Sequence, residues 1–244
     1  MEGATPLLCP CAVCLRSVLW GLWLACGAVA PFFRSSLVSG EGRIFVCMSD
    51  SPRPAAPASS PSTPGPFFTE RLVLSRPAPT DLDDVFALNA DPRLWTHFPS
   101  LVHSSEEQSR EQLERWMLGW SRDGLGTWVV RSAGSGEVIG YGGCSVSRDA
   151  FWNLGYRFAF SAQGFGYATE LAREAVAQAR AARPELPVVA YLVEHNAGSA
   201  HVAEKVGLSL VHRAPDVGNP DPAVMRLVYA DRPLSAEELA ATLA

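Results

Sequence analysis

Two glycines separated by one residue, Gly164 and Gly166, stand where an apolar run gives way to a helix-forming segment that continues to Arg183. Small and apolar residues recur there at helical spacing, at Ala168, Leu171, Ala172, Ala175, Val176 and Ala179. The first turn of a helix leaves backbone N–H groups without acceptors, and the helix dipole adds partial positive charge. Glycines keep that turn open, so the pattern predicts a phosphate site.

The spacing of these residues indicates which kind of phosphate loop they form. A Walker loop needs a lysine after its second glycine, and a dinucleotide fingerprint needs Gly or Ala where Thr169 stands. Gln163, Gly166 and Ala168 instead satisfy the pattern Gln/Arg-x-x-Gly-x-Gly/Ala. A bare Gly-x-Gly can equally cap a packed helix, so the flanking sequence must decide between the two interpretations.

The composition excludes one class of function. The chain has 244 residues, of which 48% are hydrophobic, so it can build a core of ordinary size. Its formal net charge is −5, without the basic surface that nucleic-acid binding requires. We therefore expect no nucleic-acid partner.

Residues 1–47 differ from the rest of the chain. Five of the six cysteines lie there, and the run between Arg16 and Arg34 is uncharged and rich in Trp, Leu, Val and Ala. This run is short for a membrane span, which needs about 20 apolar residues, and Pro31 interrupts it. Membrane association is therefore expected only if these residues form a working leader.

Two interpretations of residues 1–47 stay open. One is a signal sequence with cleavage after Ala30. The other, which we favour, is upstream sequence that precedes a natural start at Met48, and it predicts a cytoplasmic protein. The pair Cys11-x-x-Cys14 has no second Cys/His pair at zinc spacing, so we predict no metal site.

The remaining chain divides into a linker and a domain. Residues 48–66 are mostly Pro, Ser and Ala and are expected to be a disordered linker, whereas residues 67–244 form the folded domain. Alternation and turn residues predict seven strands, at 69–74, 126–132, 137–147, 151–160, 188–194, 208–214 and 223–229. Helices are predicted to start at Thr80, in a capping box with Asp83, and at Ser104 or Ser105, Gly166, Asn196 and Ser235.

Four motifs in this order resemble the GNAT superfamily of N-acetyltransferases, in the branch that includes bacterial acetyltransferases of ribosomal-protein N-termini. They are the glycine loop, Thr69-Glu70-Arg71-Leu72-x-Leu74 with Asp81 after it, Leu154-Gly155-Tyr156, and Asn196-x-x-Ser199-x-x-Val202-x-Glu204-Lys205-x-Gly207. The resemblance spans about residues 69–229. It implies an α/β (α+β) fold with a mixed, mostly antiparallel sheet of six or seven strands, flanked by helices and splayed at a cofactor cleft.

The resemblance also implies how acetyl-CoA, as co-substrate, is bound. Its pantetheine arm would pair with backbone groups of Phe158, Ala159 and Phe160. Its pyrophosphate would rest on the loop formed by Gln163, Gly164, Phe165, Gly166, Tyr167, Ala168 and Thr169. Asn196 would hydrogen-bond the arm, and Ser199 would face the thioester sulfur. The branch often has a basic residue in place of Phe165, so phosphate binding here depends more on the backbone.

Direct attack by an amine needs a group that accepts its proton and a donor for the departing thiolate. We predict Ser199 as the donor and Glu194 as a catalytic residue, although Asn196 and Ser199 can also be simple helix-cap residues. The branch commonly has a carboxylate two residues before its Gly-Tyr pair, and this chain has Asn153 there. The general base is therefore open, and the other candidates by position are His97 and His195.

Two classes of function follow. The first is an N-acetyltransferase that moves an acetyl group from acetyl-CoA to a primary amine, on a protein N-terminus or a small molecule. The second is a catalytically weak GNAT-fold module that binds acyl-CoA as a sensor or interaction module. The intact loop favours the first. The acceptor (protein N-terminus, antibiotic, polyamine or metabolite) stays open, as does the choice between monomer and homodimer.

Overall fold

The computed structural model describes residues 65–217, 219 and 221–243. The predictions for residues 1–47 and 48–66 lie outside this part of the chain, apart from the last two linker residues, which form no helix or strand. Within the described ranges, no helix has both the length and the apolar character that crossing a membrane requires.

One mixed sheet organises the described domain. Its eight strands are β1 (Phe67–Phe68), β2 (Leu72–Ser75), β3 (Thr127–Ser132), β4 (Val138–Ser147), β5 (Phe151–Phe158), β6 (Val188–Val193), β7 (Ser209–Pro215) and β8 (Met225–Ala230). Their order in the sheet is β1-β2-β3-β4-β5-β6-β8-β7. Every neighbouring pair is antiparallel except β5 and β6. The predicted mixed, mostly antiparallel sheet is confirmed, and the strand beyond the predicted seven is the two-residue β1.

The parallel pair β5 and β6 separates almost at once. Only Trp152–Val188 and Asn153–Val189 are paired, at the start of both strands. The remaining residues of β5 and β6 have other neighbours or none in the described sheet. The predicted splay is therefore present, and it opens a cleft in the middle of the sheet.

Five helices flank the sheet in the described residues: α1 (Leu82–Ala90), α2 (Glu106–Asp123), α3 (Tyr167–Ala182), α4 (Ala197–Lys205) and α5 (Ala236–Leu243). The caps predicted at Ser105, Gly166 and Asn196 are confirmed. The cap predicted at Thr80 is wrong. A single 3₁₀ turn, Pro79–Asp81, precedes α1, and the Asp81 carboxylate accepts the Ala78 N–H at 2.8 Å.

Helix α3 can lie close to the sheet because both contact surfaces are small. Its residues Ala172, Ala175 and Ala179 are completely buried. On the sheet side, a Cβ at Gly142 would come within 2.7 Å of a Leu171 methyl group and of the Gly155 carbonyl oxygen. Helices α1 and α2 bury a separate cluster against β3, built from Leu82, Val85, Leu113 and Val129. This close packing fixes the start of α3 against the sheet, beside the cleft.

Candidate active site

The start of α3 has the conformation that its glycines allow. Gly164 and Gly166 have φ angles of 84° and 82°, in the left-handed region that other residues rarely adopt. The N–H groups of Thr169 and Glu170 donate to the Gly166 carbonyl at 3.1 Å. Within the described chain, no acceptor takes the N–H groups of Gly164, Phe165, Gly166, Tyr167 or Ala168. These groups are free to bind an anion, whereas the Thr169 N–H is already used by the helix.

An ion pair between β2 and α3 fixes this loop. Arg71 donates through Nε to Glu170 Oε2 at 2.8 Å and through Nη1 to the Phe165 carbonyl at 2.9 Å. Thr69 Oγ1 donates to Glu170 Oε1 at 2.6 Å. Burial alone would raise the pKa of Glu170, but the hydrogen bonds from Thr69 and Arg71 bring it below its ordinary value. The Arg71 guanidinium also lies 4.8 Å from the centre of the Tyr167 ring.

The sequence does not reveal the role of Arg71, because Thr69-Glu70-Arg71 is recognisable in it only as a family signature. The structure shows that the motif ties the first long strand to the helix that starts at the glycines. It also places a cation beside the loop at the point where Phe165 supplies none. The motif itself was the available signal, but only the fold brings residues about a hundred positions apart together.

Beyond its short pairing with β6, strand β5 has a free edge that borders the cleft. Every second residue of β5 directs its backbone N–H and C=O groups to this edge. The Trp152 N–H donates to the Pro187 carbonyl, on the β6 side, at 2.9 Å. Backbone groups alternate along a strand, so the same edge carries those of Leu154, Tyr156 and Phe158. Leu154 and Tyr156 were not among the residues predicted for the pantetheine arm.

The three residues predicted for that arm lie where β5 ends. The Phe158 carbonyl accepts the side-chain amide of Gln163 at 3.2 Å. The Ala159 N–H donates to the Ile139 carbonyl at 2.9 Å, and the side chain of Phe160 is exposed. Gln163 thereby holds the loop against the end of the strand.

The N-terminus of α4 closes the other side of the cleft. Asn196 Oδ1 accepts the backbone N–H of Ser199 at 3.1 Å, so Asn196 is a helix cap in addition to any role in binding. The hydroxyl of Tyr156 donates to the Ser199 carbonyl at 3.3 Å, and burial raises the pKa of Tyr156 to about 12.

A cavity of about 530 Å³ joins these elements. Its lining includes the predicted cofactor residues Phe158, Gln163, Gly164, Gly166, Tyr167, Ala168, Thr169, Asn196 and Ser199. Ala159, Phe160 and Phe165, which were predicted with them, are not in the lining. We call the part formed by residues 163–169 the loop end. The part formed by Leu94, Trp95, His97, Phe98 and Arg157 is the Trp95 end.

The candidate bases differ in their surroundings. The Glu194 carboxylate accepts two hydrogen bonds from Arg213, both at 2.8 Å, and they lower its pKa. The rings of His97 and His195 lie 5.1 Å apart, and of these two only His97 lines the cavity. Burial, and then the charges of His195 and Arg157, lower the pKa of His97 below its ordinary value. His97 is therefore neutral at pH 7 and can accept a proton.

Apart from His97, a candidate base by position, the residues of the Trp95 end were not predicted from the sequence. Arg157 donates through Nη1 to the Leu94 carbonyl, and its guanidinium carbon lies 3.4 Å from the centre of the Trp95 ring. Nothing local marks Leu94, Trp95 and Phe98 as part of a site, because they meet Arg157 only through the register of β5. In the part of the chain that the structure describes, no group of three or more His, Cys, Asp or Glu side chains could hold a metal ion.

Comparison with known proteins shows which family the chain belongs to. Residues 71–209 match the family model described as an acetyltransferase (GNAT) domain. The chain belongs to the GNAT acetyltransferase family. Members of this family generally transfer acyl groups from acetyl-CoA. The match begins at Arg71 and ends in β7, so it includes the loop, the cleft and α4.

Individual relatives are similar to this chain at low sequence identity. The chain is 27% identical over 146 residues to the uncharacterized protein YkkB of Bacillus subtilis (strain 168), covering 58% of this chain and 84% of that protein. It superposes on an acetyltransferase of Agrobacterium tumefaciens with a TM-score of 0.55 and 25% identity, covering 68% of this chain and 94% of the other. RimL, a ribosomal L7/L12 alpha-N-protein acetyltransferase solved with coenzyme A, superposes with a TM-score of 0.57 and 19% identity, covering 69% and 97%.

Proposed function

We propose that this protein transfers an acetyl group from acetyl-CoA to a primary amine by direct attack of the amine on the thioester. One observation carries the proposal: the free N–H groups at the start of α3 and the unpaired edge of β5 line the same cavity. The first can bind a pyrophosphate and the second an extended chain of amides. Acetyl-CoA presents these two groups in that order.

Binding would use the backbone more than side chains. The pyrophosphate would rest on the free N–H groups from Gly164 to Ala168, with Arg71 beside them. The pantetheine amides would pair with the edge of β5 at Leu154, Tyr156 and Phe158. Asn196 would hydrogen-bond the arm through the side-chain groups that its bond to the Ser199 N–H does not use.

The chemistry requires two proton transfers. As the N–C bond forms and the C–S bond breaks, the amine nitrogen must lose a proton and the thiolate must gain one. Ser199, which lines the cavity, is the proposed donor to sulfur. Glu194 and His97 are the candidate acceptors, and His97 is the better placed because it lines the cavity and is neutral.

The proposal is tested by calorimetric titration with acetyl-CoA and by a thiol-release assay over a panel of amines. We expect binding in the micromolar range, about −8 kcal/mol, and turnover of at least one amine. The absence of heat at millimolar acetyl-CoA would contradict the proposal at its first step. Because acetyl-CoA is an intracellular co-substrate, the proposal implies a cytoplasmic protein, as a monomer or homodimer, that does not act on nucleic acid.

A second candidate function is an acyl-CoA-binding sensor or interaction module. It is favoured by the amide at Asn153, which cannot act as a base near neutral pH, and by the ion pair that holds Glu194. The same two assays separate the candidates, since a sensor binds acetyl-CoA but turns over no amine.

A further inference from the structure

The cavity lining has basic side chains and no acidic ones among the described residues, although the chain as a whole has a negative net charge. The formal net charge of the chain is −5, yet no Asp or Glu is among the described residues that line the cavity. The basic side chains in the lining are His97, Arg157, His201 and Lys205. A site that binds amines as cations would need acidic side chains. The presence of basic side chains instead needs an explanation.

The four basic residues belong to two faces of the sheet. His201 and Lys205 are on α4, which packs against α3. They are therefore on the same face of the sheet as the loop end. Side chains alternate along β5, and Trp152, Leu154 and Phe158 are buried in the α3-side core. Arg157 therefore projects from the other face, where it meets residues 94–98. Phosphates held at the start of α3 leave the Trp95 end open to the acceptor.

Arg157 is fixed in place but has no anionic partner among the residues that the structure describes. It is held by the Leu94 carbonyl and by the Trp95 ring. Arg71, Arg131, Arg213 and Arg226 each have a carboxylate, whereas none of the ion pairs in the described part of the chain includes Arg157. A half-buried cation without a counter-charge costs free energy that a bound anion would recover.

We propose that the acceptor carries an anionic group, a carboxylate or a phosphate, close to its amino group, and that Arg157 binds this group. The inference rests on the proposed acetyl transfer and names its substrate class. A guanidinium binds such groups through two parallel hydrogen bonds, and this one is already oriented by its contacts. Leu94, Trp95 and Phe98 provide an apolar wall for the rest of the molecule. A polyamine, in contrast, would be repelled.

The test uses pairs of amines that differ in the anionic group. Phenylalanine is compared with phenethylamine, and phosphoethanolamine with ethanolamine, so that the two pairs distinguish a carboxylate from a phosphate. Spermidine represents a polycation. For the preferred pair, kcat/KM of the member that carries the anionic group is expected to exceed that of the member that lacks it by on the order of 10- to 100-fold, and spermidine should be a poor substrate.

Variants attribute this preference to Arg157. In Arg157→Gln the ratio of kcat/KM between the two members of a pair should fall to about 1, and Arg157→Lys, with a charge but no planar fork, should retain part of it. Arg110→Gln is the matched control, because it removes the same charge from an exposed ion pair on α2, 3.3 Å from Glu107, and should retain the full ratio. Thermal melting and acetyl-CoA titration of each variant show that it is folded.

The outcomes separate this inference from the proposed function. If acetyl-CoA does not bind to the wild type, the proposed function fails. If acetyl-CoA binds and no amine reacts, the proposed acetyl transfer fails and the inference about Arg157 fails with it. If amines react and the anionic group gives no advantage in either pair, the inference about Arg157 is overturned alone. It is also overturned if the preference survives in Arg157→Gln.

Discussion

The loop end and the Trp95 end of the cavity are built in opposite ways. The loop end presents main-chain N–H groups on a short continuous segment, shaped by two left-handed glycines and fixed from outside by Arg71. The Trp95 end presents side chains from separate segments, residues 94–98 and β5, which meet across the sheet. One end is a local structure, and the other exists only in the assembled domain.

This difference has consequences for function and for mutation. A site made of main-chain groups can bind the part of a co-substrate that is the same for every enzyme that uses it. Such a site loses binding when the backbone cannot adopt the required conformation. A side-chain site can change its charge and shape one residue at a time, so it can set the choice of acceptor without disturbing the loop. We therefore expect substitutions at the loop end to act on acetyl-CoA binding, and substitutions near the Trp95 end to act on turnover and selectivity.

The largest effect is expected at the loop end, for Gly166→Val. A β-branched residue at a φ angle of 82° is strained, so the N–H groups should lose their common direction and acetyl-CoA binding should be abolished in calorimetry. Gly119→Val is the matched control, because an added Cβ there meets nothing within 4 Å. Unchanged affinity in Gly166→Val would show that the phosphates bind elsewhere.

The second expected effect is on chemistry without binding, for Ser199→Ala. The backbone N–H of Ser199, not its hydroxyl, makes the bond to Asn196, so the helix cap survives this substitution. If the hydroxyl donates a proton to the thiolate, turnover should fall by a factor of about 10²–10⁴, with acetyl-CoA affinity within a few-fold of wild type. Full turnover would make Ser199 a helix-cap residue only.

The third prediction compares His97→Gln with Glu194→Gln. We expect His97→Gln to lower turnover by about 10²-fold and Glu194→Gln to lower it less, because Arg213 holds that carboxylate ionised. The pKa of His97 lies below its ordinary value, so this base is already neutral at pH 7. The wild-type rate should then rise with pH until the amine is deprotonated. A larger loss in Glu194→Gln would place the base outside the cavity lining.

The smallest effect is expected for Glu170→Gln, which tests whether the loop end depends on its support. The amide keeps the side-chain volume but weakens the bonds from Thr69 and Arg71. A loss of about 1 kcal/mol in positioning the loop corresponds to a Kd for acetyl-CoA that is roughly fivefold higher. Exposed Glu107→Gln on α2 should leave the Kd unchanged. A loss as large as that of Gly166→Val would mean that the loop does not form without the ion pair.

Features that depend on neighbouring residues were predictable from the sequence. The glycines at 164 and 166, the caps at Ser105 and Asn196, and strands of the correct order all follow from local spacing and turn chemistry. The GNAT family followed from four such local patterns in one order, and the match over residues 71–209 shows it. The cap at Thr80 was the local error, because Asp81 competes for the same turn.

Only the tertiary structure brought distant side chains together. The register of β5 places Arg157 against Trp95, and the parallel start of β5 and β6 opens the cleft that both residues border. Arg71 reaches Glu170 and Phe165 because β2 and the start of α3 meet beside the cleft. The physical reason is the range of the interactions: caps and glycine turns are fixed within a few residues, whereas a charge is paired or left unpaired only when the whole sheet has assembled.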